Sequence, residues 1–491
     1  MRRFRALQGD PRSSYDAVVI GAGIGGLVCA NLLAKSGLRV LLAEQHYMVG
    51  GYCSTFKRGG YTFDAGTHFY PLLGNPATIT GQLLEDLGVR TRWIKMDPVD
   101  HFHFPDGSSF SVPADFDEYF EKLKREFPHE VDAIDRFFAL AREAYLSGLL
   151  FYFKGRTHSR FDALRLLTVR EVLDQYFKTE KLRLLLAADC AHWGSRPSQT
   201  SFVFDSMLRL SYFLGNYYPE GGSQVFADEL AQRFEQQGGD ILMRARVTRI
   251  AIERGAATGV HLEVGTPNQR RRLRVEAGRV ISNADLVLTL EEMIGVEHVG
   301  ANYLQSIKTL RPSLPCYLTH IGLRDIALGP LERASGYHWR SWDTERVATD
   351  LFKIFVPTQY EPRLAPPNGQ IVVLQKVTQV DYDAVQDWAA HKRDIEADVM
   401  ERLGRVVPGI EAHIVTQQTA SALTAWRFTL NYRGAMLGWE MAPDQLGDRR
   451  PGIESPVGNL YFVGHWTRPG GGITPVIVSA MQVAREITGS S

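Results

Sequence analysis

The chain has 491 residues, of which 44% are apolar and 22% charged, with 55 basic and 55 acidic side chains. That length accommodates more than one hydrophobic core, and the composition excludes a disordered chain. A formal net charge of zero excludes a general nucleic-acid binder, so any basic surface is local. Residues 1–14 are polar, open Met-Arg-Arg-Phe-Arg, and predict a flexible tail without the apolar core of a secretory leader.

From Tyr15 to Gly51 the pattern is that of a βαβ unit. An apolar run, Ala17–Ile20, enters Gly21-Ala-Gly23-Ile-Gly25-Gly26, a helical stretch closes at Gly37, and a second apolar run ends in Glu44. The physical content is a dinucleotide cradle. Gly21 permits the tight turn, Gly23 lets backbone approach a pyrophosphate, and Gly26 lets the helix pack close to the strand. The helix N-terminus then offers free N–H groups and positive dipole to the phosphates. Glu44 is spaced to accept hydrogen bonds from ribose hydroxyls, and Gly50-Gly51 follows.

A hairpin is predicted next, Ser54–Arg58 and Tyr61–Asp64 around Gly59-Gly60. Between Pro76 and Gly215 the glycine-rich rhythm stops and helical segments dominate: Asp117–Phe127, Val131–Ala144 and Val169–Phe177. The rhythm resumes at Pro219-Glu-Gly221-Gly222, with a helix over Gln224–Gln237 and a strand over Asp240–Met243. Val247–Ile252 and Thr258–Val264 then read as a meander, followed by strand Arg279–Ser282. A mixed, aromatic-rich stretch runs from Val287 to Ile453, and strand Asn459–Val463, the Gly470–Gly472 loop and helix Thr474–Ile487 close the chain.

This organisation predicts an α/β fold whose Rossmann-type dinucleotide-binding domain is assembled from three sequence segments, with an inserted α+β substrate lobe. The segments are 15–75, 216–286 and 455–491, and the lobe is 76–215 plus 287–454. No second GxGxxG unit follows, which argues against a nicotinamide domain. The four cysteines have no CxxC or framework spacing and read as free thiols of a reducing compartment. No run reaches the length of a bilayer span, so the expected location is soluble or peripheral on the cytoplasmic face of a membrane. Phe137–Leu167, with its aromatics and Lys154, Arg156 and Arg160, is the segment suited to a membrane surface. His101 and His103 share one strand face, but no further ligands stand at metal spacing, so no metal is predicted.

Taken together, the motifs resemble the phytoene desaturase-like branch of the FAD-dependent amine oxidase superfamily, which includes carotenoid desaturases, carotenoid cis–trans isomerases and retinol saturases. The opening unit carries the resemblance, with FDAGTH (Phe63–His68), YPEGG (Tyr218–Gly222), VISNAD (Val280–Asp285), YEPRLAPPNGQ (Tyr360–Gln370), RFTLNYRGAMLGW (Arg427–Trp439) and GHWTRPGGG (Gly464–Gly472). It implies FAD as cofactor. Gly21, Gly23, Gly25, Gly26, Glu44, Gln45, Gly50, Gly51, Tyr52 and Val247 would hold the adenosine and pyrophosphate end. Gly464, His465, Gly471, Gly472 and Ile473 would hold the flavin end; His465 stands where many relatives carry a ribitol-binding Asp. The implied substrate is a hydrophobic polyene, desaturated or saturated by hydride exchange with flavin N5, or isomerised by the reduced flavin.

A quinone, oxygen or a small carrier would exchange the electrons. No acid–base pair stands at diagnostic spacing, so the catalytic residues are undefined; His68, Arg427 and Trp439 are the candidates beside the flavin. His68 either lines the substrate side or is a hydrogen-bonded core histidine, and Arg427, Tyr432 and Trp439 either border the cavity or pack. His192, Trp193 and Arg196 read as a structural group or a polar wall. The alternatives are a flavin amine oxidase and, against the intact cradle, a flavin-free binding protein of the Rab-escort and GDP-dissociation-inhibitor type.

Overall fold

The computed structural model describes residues 4–154, 158–266 and 268–489. Five short apolar runs form an all-parallel sheet in the order Asp240–Met243, Val40–Glu44, Ala17–Ile20, Val280–Ser282, Leu460–Phe462. Such a sheet is covered on both faces, so its strands are continuous hydrophobic runs rather than alternating ones. Val19, Leu42, Ile241 and Ile281 face helices Ile24–Lys35, Ser223–Gln236 and Ile473–Thr488. Val18, Ile20, Leu41 and Leu242 face an antiparallel meander, Ala245–Glu253, Ala256–Thr266 and Gln269–Ala277.

A second, seven-stranded sheet runs Ile414–Ala420, Cys316–Arg324, Gly369–Val377, Leu351–Phe355, Gly336–Trp339, Asp100–His103, Ser109–Val112. Beside it, an aromatic core joins helices Val131–Lys154 and Phe202–Ser211. A cavity separates this half from the carboxyl ends of the parallel strands, where Ile20, Ala43 and Glu44 line it. That is the position the doubly wound topology reserves for ligands.

Several sequence expectations need correction. From Phe4 onward the segment expected to be a tail is docked: Phe4 is buried in the helix-side core and the Leu7 N–H donates to Ile241 O at 2.8 Å. Ser14–Tyr15 also extends the meander beside Glu276 and Ala277. One aromatic anchor and a few backbone bonds order a segment whose polarity suggested fraying; Met1–Arg3 lie outside the described residues. The third meander strand, Gln269–Ala277, lacks alternation in its first half, where consecutive Arg270, Arg271 and Arg272 are exposed on both faces. The stretch expected to be helical also supplies strands Trp93–Lys95, Asp100–His103 and Ser109–Val112. Helix Val131–Lys154 continues through the aromatic patch, burying Phe151 and Tyr152 while exposing Leu146 and Leu150. Arg156, read as part of a basic surface, lies outside the described residues.

Candidate functional site

The first helix, Ile24–Lys35, has Gly23 at its N-cap with no side-chain cap and no acidic residue in its first turn. Its leading N–H groups are therefore available to an anion. Gly21 sits at φ +92°, open to glycine, and a Cβ on Gly26 would stand 2.1 Å from Gly21 O. Asn283, from VISNAD, donates its amide to Gly21 O at 3.3 Å, and its Oδ1 leaves no room for a Cβ on Gly25 or Gly464. It locks the opening turn to the final strand. Glu44 accepts the Ala22 and His46 N–H groups, each at 2.7 Å, and faces the cavity; burial raises its pKa against those two bonds.

Gly21, Gly23, Gly25, Glu44, Gln45, Gly50, Gly51, Tyr52, Val247, Gly464, His465, Gly472 and Ile473 all line one cavity of about 1380 Å³. Gly26 and Gly471 are not on its wall. Gly26 serves helix-to-strand packing, while a Cβ on Gly471 would meet Leu437 O at 2.3 Å, so Gly471 is a close-approach glycine behind the wall. The last helix, Ile473–Thr488, likewise begins with an uncapped glycine, Gly472, and no acidic first turn. Two uncapped helix N-termini thus converge on one cavity.

His465 is tied into a network that settles its tautomer. The Trp466 indole N–H, a donor only, lies 3.2 Å from Asn431 Oδ1, and His465 Nε2 lies 3.2 Å from the same oxygen. The imidazole must donate through Nε2, leaving Nδ1 as an acceptor. Burial, with the Arg450 charge behind it, lowers its pKa to about 3, so the ring is neutral. Asn431 in turn donates to the Tyr52 hydroxyl at 3.1 Å, joining RFTLNYRGAMLGW to the opening unit.

The other motifs are cross-linked in the same way. Buried Asp64 of FDAGTH accepts the Ser223 N–H at 2.8 Å and the Tyr218 hydroxyl, closing FDAGTH onto YPEGG. Glu220 of YPEGG pairs with Arg92 at 3.1 Å and with Arg363 of YEPRLAPPNGQ at 2.7 Å.

The remainder of the cavity is largely apolar, with Tyr145, Leu149, Tyr152 and Phe153 of the long helix and Met207 and Leu208 of its neighbour. His68 lines it; Gln375 donates to His68 Nδ1 at 3.1 Å, and Nε2 has no protein partner. Burial, reinforced by the nearby Lys353 charge, holds this imidazole neutral. Arg427 is exposed on the cavity rim, next to Phe428, whose ring meets His46 edge-on, and so lies toward the Glu44 end. Trp439 is not a cavity residue: its ring is fully buried, packed against Trp466 with centroids 4.7 Å apart, because the chain there passes behind the wall. Tyr432 packs beside it.

His192 and Trp193 line the cavity, His192 bonded to the Tyr337 hydroxyl, whereas Arg196 turns away to Gln199. His103 stacks on His338 and bonds Ser335 O at 3.0 Å. Among the described residues no group of three or more His, Cys, Asp or Glu side chains is placed to hold a metal ion. Sequence reasoning missed Asn283 and Asn431 as organisers, and Lys353 and Gln375 as wall residues. The one signal for Lys353 was a lysine inside the apolar run Leu351–Phe355.

The family model for flavin containing amine oxidoreductase matches residues 24–488. The chain belongs to that family. Among curated relatives, it is 27% identical to a chloroplastic prolycopene isomerase of an Oncidium hybrid cultivar, over 96% of this chain and 84% of the relative. It is 26% identical to a lycopene-forming phytoene desaturase of Pseudescherichia vulneris (95% and 98%) and to the rat all-trans-retinol 13,14-reductase (91% and 82%). The fold matches wild-type putrescine oxidase with a TM-score of 0.67 at 16% identity, over 98% of this chain and all of that one. The protein is an FAD-dependent oxidoreductase of the carotenoid desaturase, isomerase and retinol saturase branch.

Its own residues fit that cofactor. The unpartnered N–H groups of both glycine-capped helices, the Glu44 carboxylate and the His465 Nδ1 acceptor lie along a single wall.

Proposed function

We propose that this enzyme acts on a hydrophobic polyene, with FAD in the glycine-lined half of the cavity and the polyene in the apolar half. The observation that carries this reading is continuity: the wall holding Glu44 and Gly23 is the same wall that holds Leu149, Tyr152 and Phe153. The named substrates of the curated relatives, carotenes and a retinol, point the same way. We divide the chain accordingly, with 15–75, 216–286 and 455–491 as the flavin half and 76–215 with 287–454 as the substrate half.

Bound FAD supplies hydride acceptance or donation at its N5. The chain's residues do the rest. Glu44 takes ribose hydroxyls, the Gly23-led helix takes the pyrophosphate, and Gly25 and Gly50-Gly51 give the chain close backbone approach there. Gln45, Tyr52 and Val247 flank the nucleotide, while Gly464, His465, Gly472 and Ile473 support the flavin end. The N-terminus of the last helix favours negative charge developing near it. His68, neutral and with a free Nε2, is the polar group on the apolar side best placed to hold a proton or orient substrate. Leu146, Leu150 and Leu166 are 62%, 53% and 57% exposed, beside the cavity-lining Tyr145 and Leu149 and the basic Lys154 and Arg160. We assign this face to a membrane surface, and a quinone or oxygen as electron partner.

The decisive experiment incubates flavin-loaded enzyme with phytoene, cis-lycopene isomers, retinol and putrescine, under oxidising and under reducing conditions, with products separated by chromatography. A polyene product supports the reading and identifies desaturation, isomerisation or saturation. Turnover of the amine alone overturns it.

A further inference from the structure

A hydrocarbon needs no polar partner, yet one row of the second sheet is polar where it faces the cavity. Register pairs Tyr337 with Lys353 and Lys353 with Gln375, so the three side chains sit on one face of adjacent strands. All three line the cavity. Each has a polar partner: Gln375 bonds His68 and Tyr337 bonds His192, both also on the cavity wall, while Lys353 pairs with Asp100, which is not on the wall. The Lys353 ammonium lies 4.9 Å from the Phe69 ring centre and 4.5 Å from that of Tyr337, and the residue is 4% exposed.

Burying an ion pair costs several kcal/mol per ion as an order of magnitude, and apolar residues of similar volume pack such a wall without that cost. The polar row therefore needs a reason beyond stability. It also has unused capacity. Lys353 carries three N–H donors and Asp100 takes one, and the His68 Nε2 has no protein partner. Its charge balance selects the ligand. Asp100 offsets Lys353, and burial holds the His68 and His192 rings neutral. A row with no net charge suits a neutral oxygen atom, while a carboxylate would enter beside Asp100 without compensation.

We propose that Lys353, flanked by Tyr337 and His192, binds a hydroxyl or carbonyl oxygen on the substrate, making the substrate an oxygenated polyene rather than a pure hydrocarbon. The proposal rests on the polyene reading of the same cavity. A hydrogen bond to the ammonium makes the oxygenated compound bind about 10- to 100-fold tighter than its hydrocarbon counterpart.

The test titrates flavin-loaded enzyme with matched pairs, retinol against deoxyretinol and a hydroxylated acyclic carotene against lycopene, following the flavin spectrum. The affinity ratio within each pair is the readout. It is expected to favour the oxygenated member in the wild type and to fall toward one in a Lys353→Met, Asp100→Asn double variant that keeps its flavin. Tyr337→Phe, which removes a single oxygen, reduces the ratio in part and covers the case of a double variant that does not fold. Equal binding within pairs, a ratio unchanged in Tyr337→Phe and the double variant, or retinoic acid binding more tightly than retinol overturns the proposal while leaving the polyene reading standing. Failure of every polyene to bind overturns both.

Discussion

Glu44 combines a structural task with the ribose contact proposed for it. Its oxygens already accept the Ala22 and His46 N–H groups at 2.7 Å, which fix it at the strand end with lone pairs to spare. Glu44→Ala removes the acceptors for ribose, and two lost hydrogen bonds to a charged group weaken FAD binding by at least about 100-fold. Flavin absorbance after dialysis reads this directly, and full retention of flavin would remove Glu44 from the site. Buried histidines make a second prediction. His320 donates to Asp64 O at 2.9 Å and His338 to Ala334 O at 2.8 Å, and burial lowers their pKa values to about 4 and about 3. Their folded values lie below the unfolded value of about 6.5, so the stability they contribute is present above that pH and is lost as pH falls through the folded values. Each adds a slope of up to ~1.4 kcal/mol per pH unit in that window. Urea unfolding at a series of pH values from neutral downward measures it, and in His338→Phe the slope is shallower by about one proton. A stability independent of pH across the window contradicts the assignment.

Among the elements, the first helix depends on an absent side chain. The Gly26 Cα sits so near the strand-end turn that a Cβ would lie 2.1 Å from Gly21 O, backbone that cannot swing away. Gly26→Ala therefore displaces the helix N-terminus, at a cost of about 1–3 kcal/mol typical of overpacking. Thermal unfolding should record a lower Tm together with weakened flavin retention, since the displaced N–H groups belong to the phosphate cradle. A variant with wild-type Tm and flavin content would mean that the helix has slack there. The glycine spacing was legible in the sequence because backbone approach has so few chemical solutions. The role of Gly471 was not, because a loop glycine on the wall and one behind it look alike until Leu437 O is placed 2.3 Å from its missing Cβ.

At the scale of the molecule, helix Val131–Lys154 has a buried face and an exposed apolar face, the one proposed for membrane contact. Phe151 and Tyr152 turn inward, and Leu146 and Leu150, one helical turn apart, turn outward at 62% and 53% exposure. No helix among the described residues is long and apolar enough to cross a membrane. Burying a leucine contributes about 1.5–3 kcal/mol, so a Leu146→Glu, Leu150→Glu variant should sediment with liposomes at least about tenfold less well. Unchanged co-sedimentation would remove this face from the proposal, and flavin content separates that outcome from misfolding.

What the sequence determined by itself was the part of the protein governed by local rules. Ala17–Ile20, the glycine turn and Glu44 lie within thirty residues, and backbone sterics with hydrogen bonding dictate their types at those spacings. Strand Asp240–Met243 and the Tyr61–Asp64 hairpin arm were legible for the same reason. The tertiary structure alone decided which distant groups meet. The sequence left Trp439 either bordering the cavity or packing, and it packs behind the wall, whereas Lys353, Tyr337 and Gln375 are brought into one row by strand register. Glu220, unexplained by its neighbours in the chain, finds Arg92 and Arg363 only when folded. Periodicity fixes which face of a strand a side chain takes, but not which other strand lies beside it. The glycine turn, built on contiguous chain, could be read early; the polar row on the far wall of the cavity, built on register across three strands, could not.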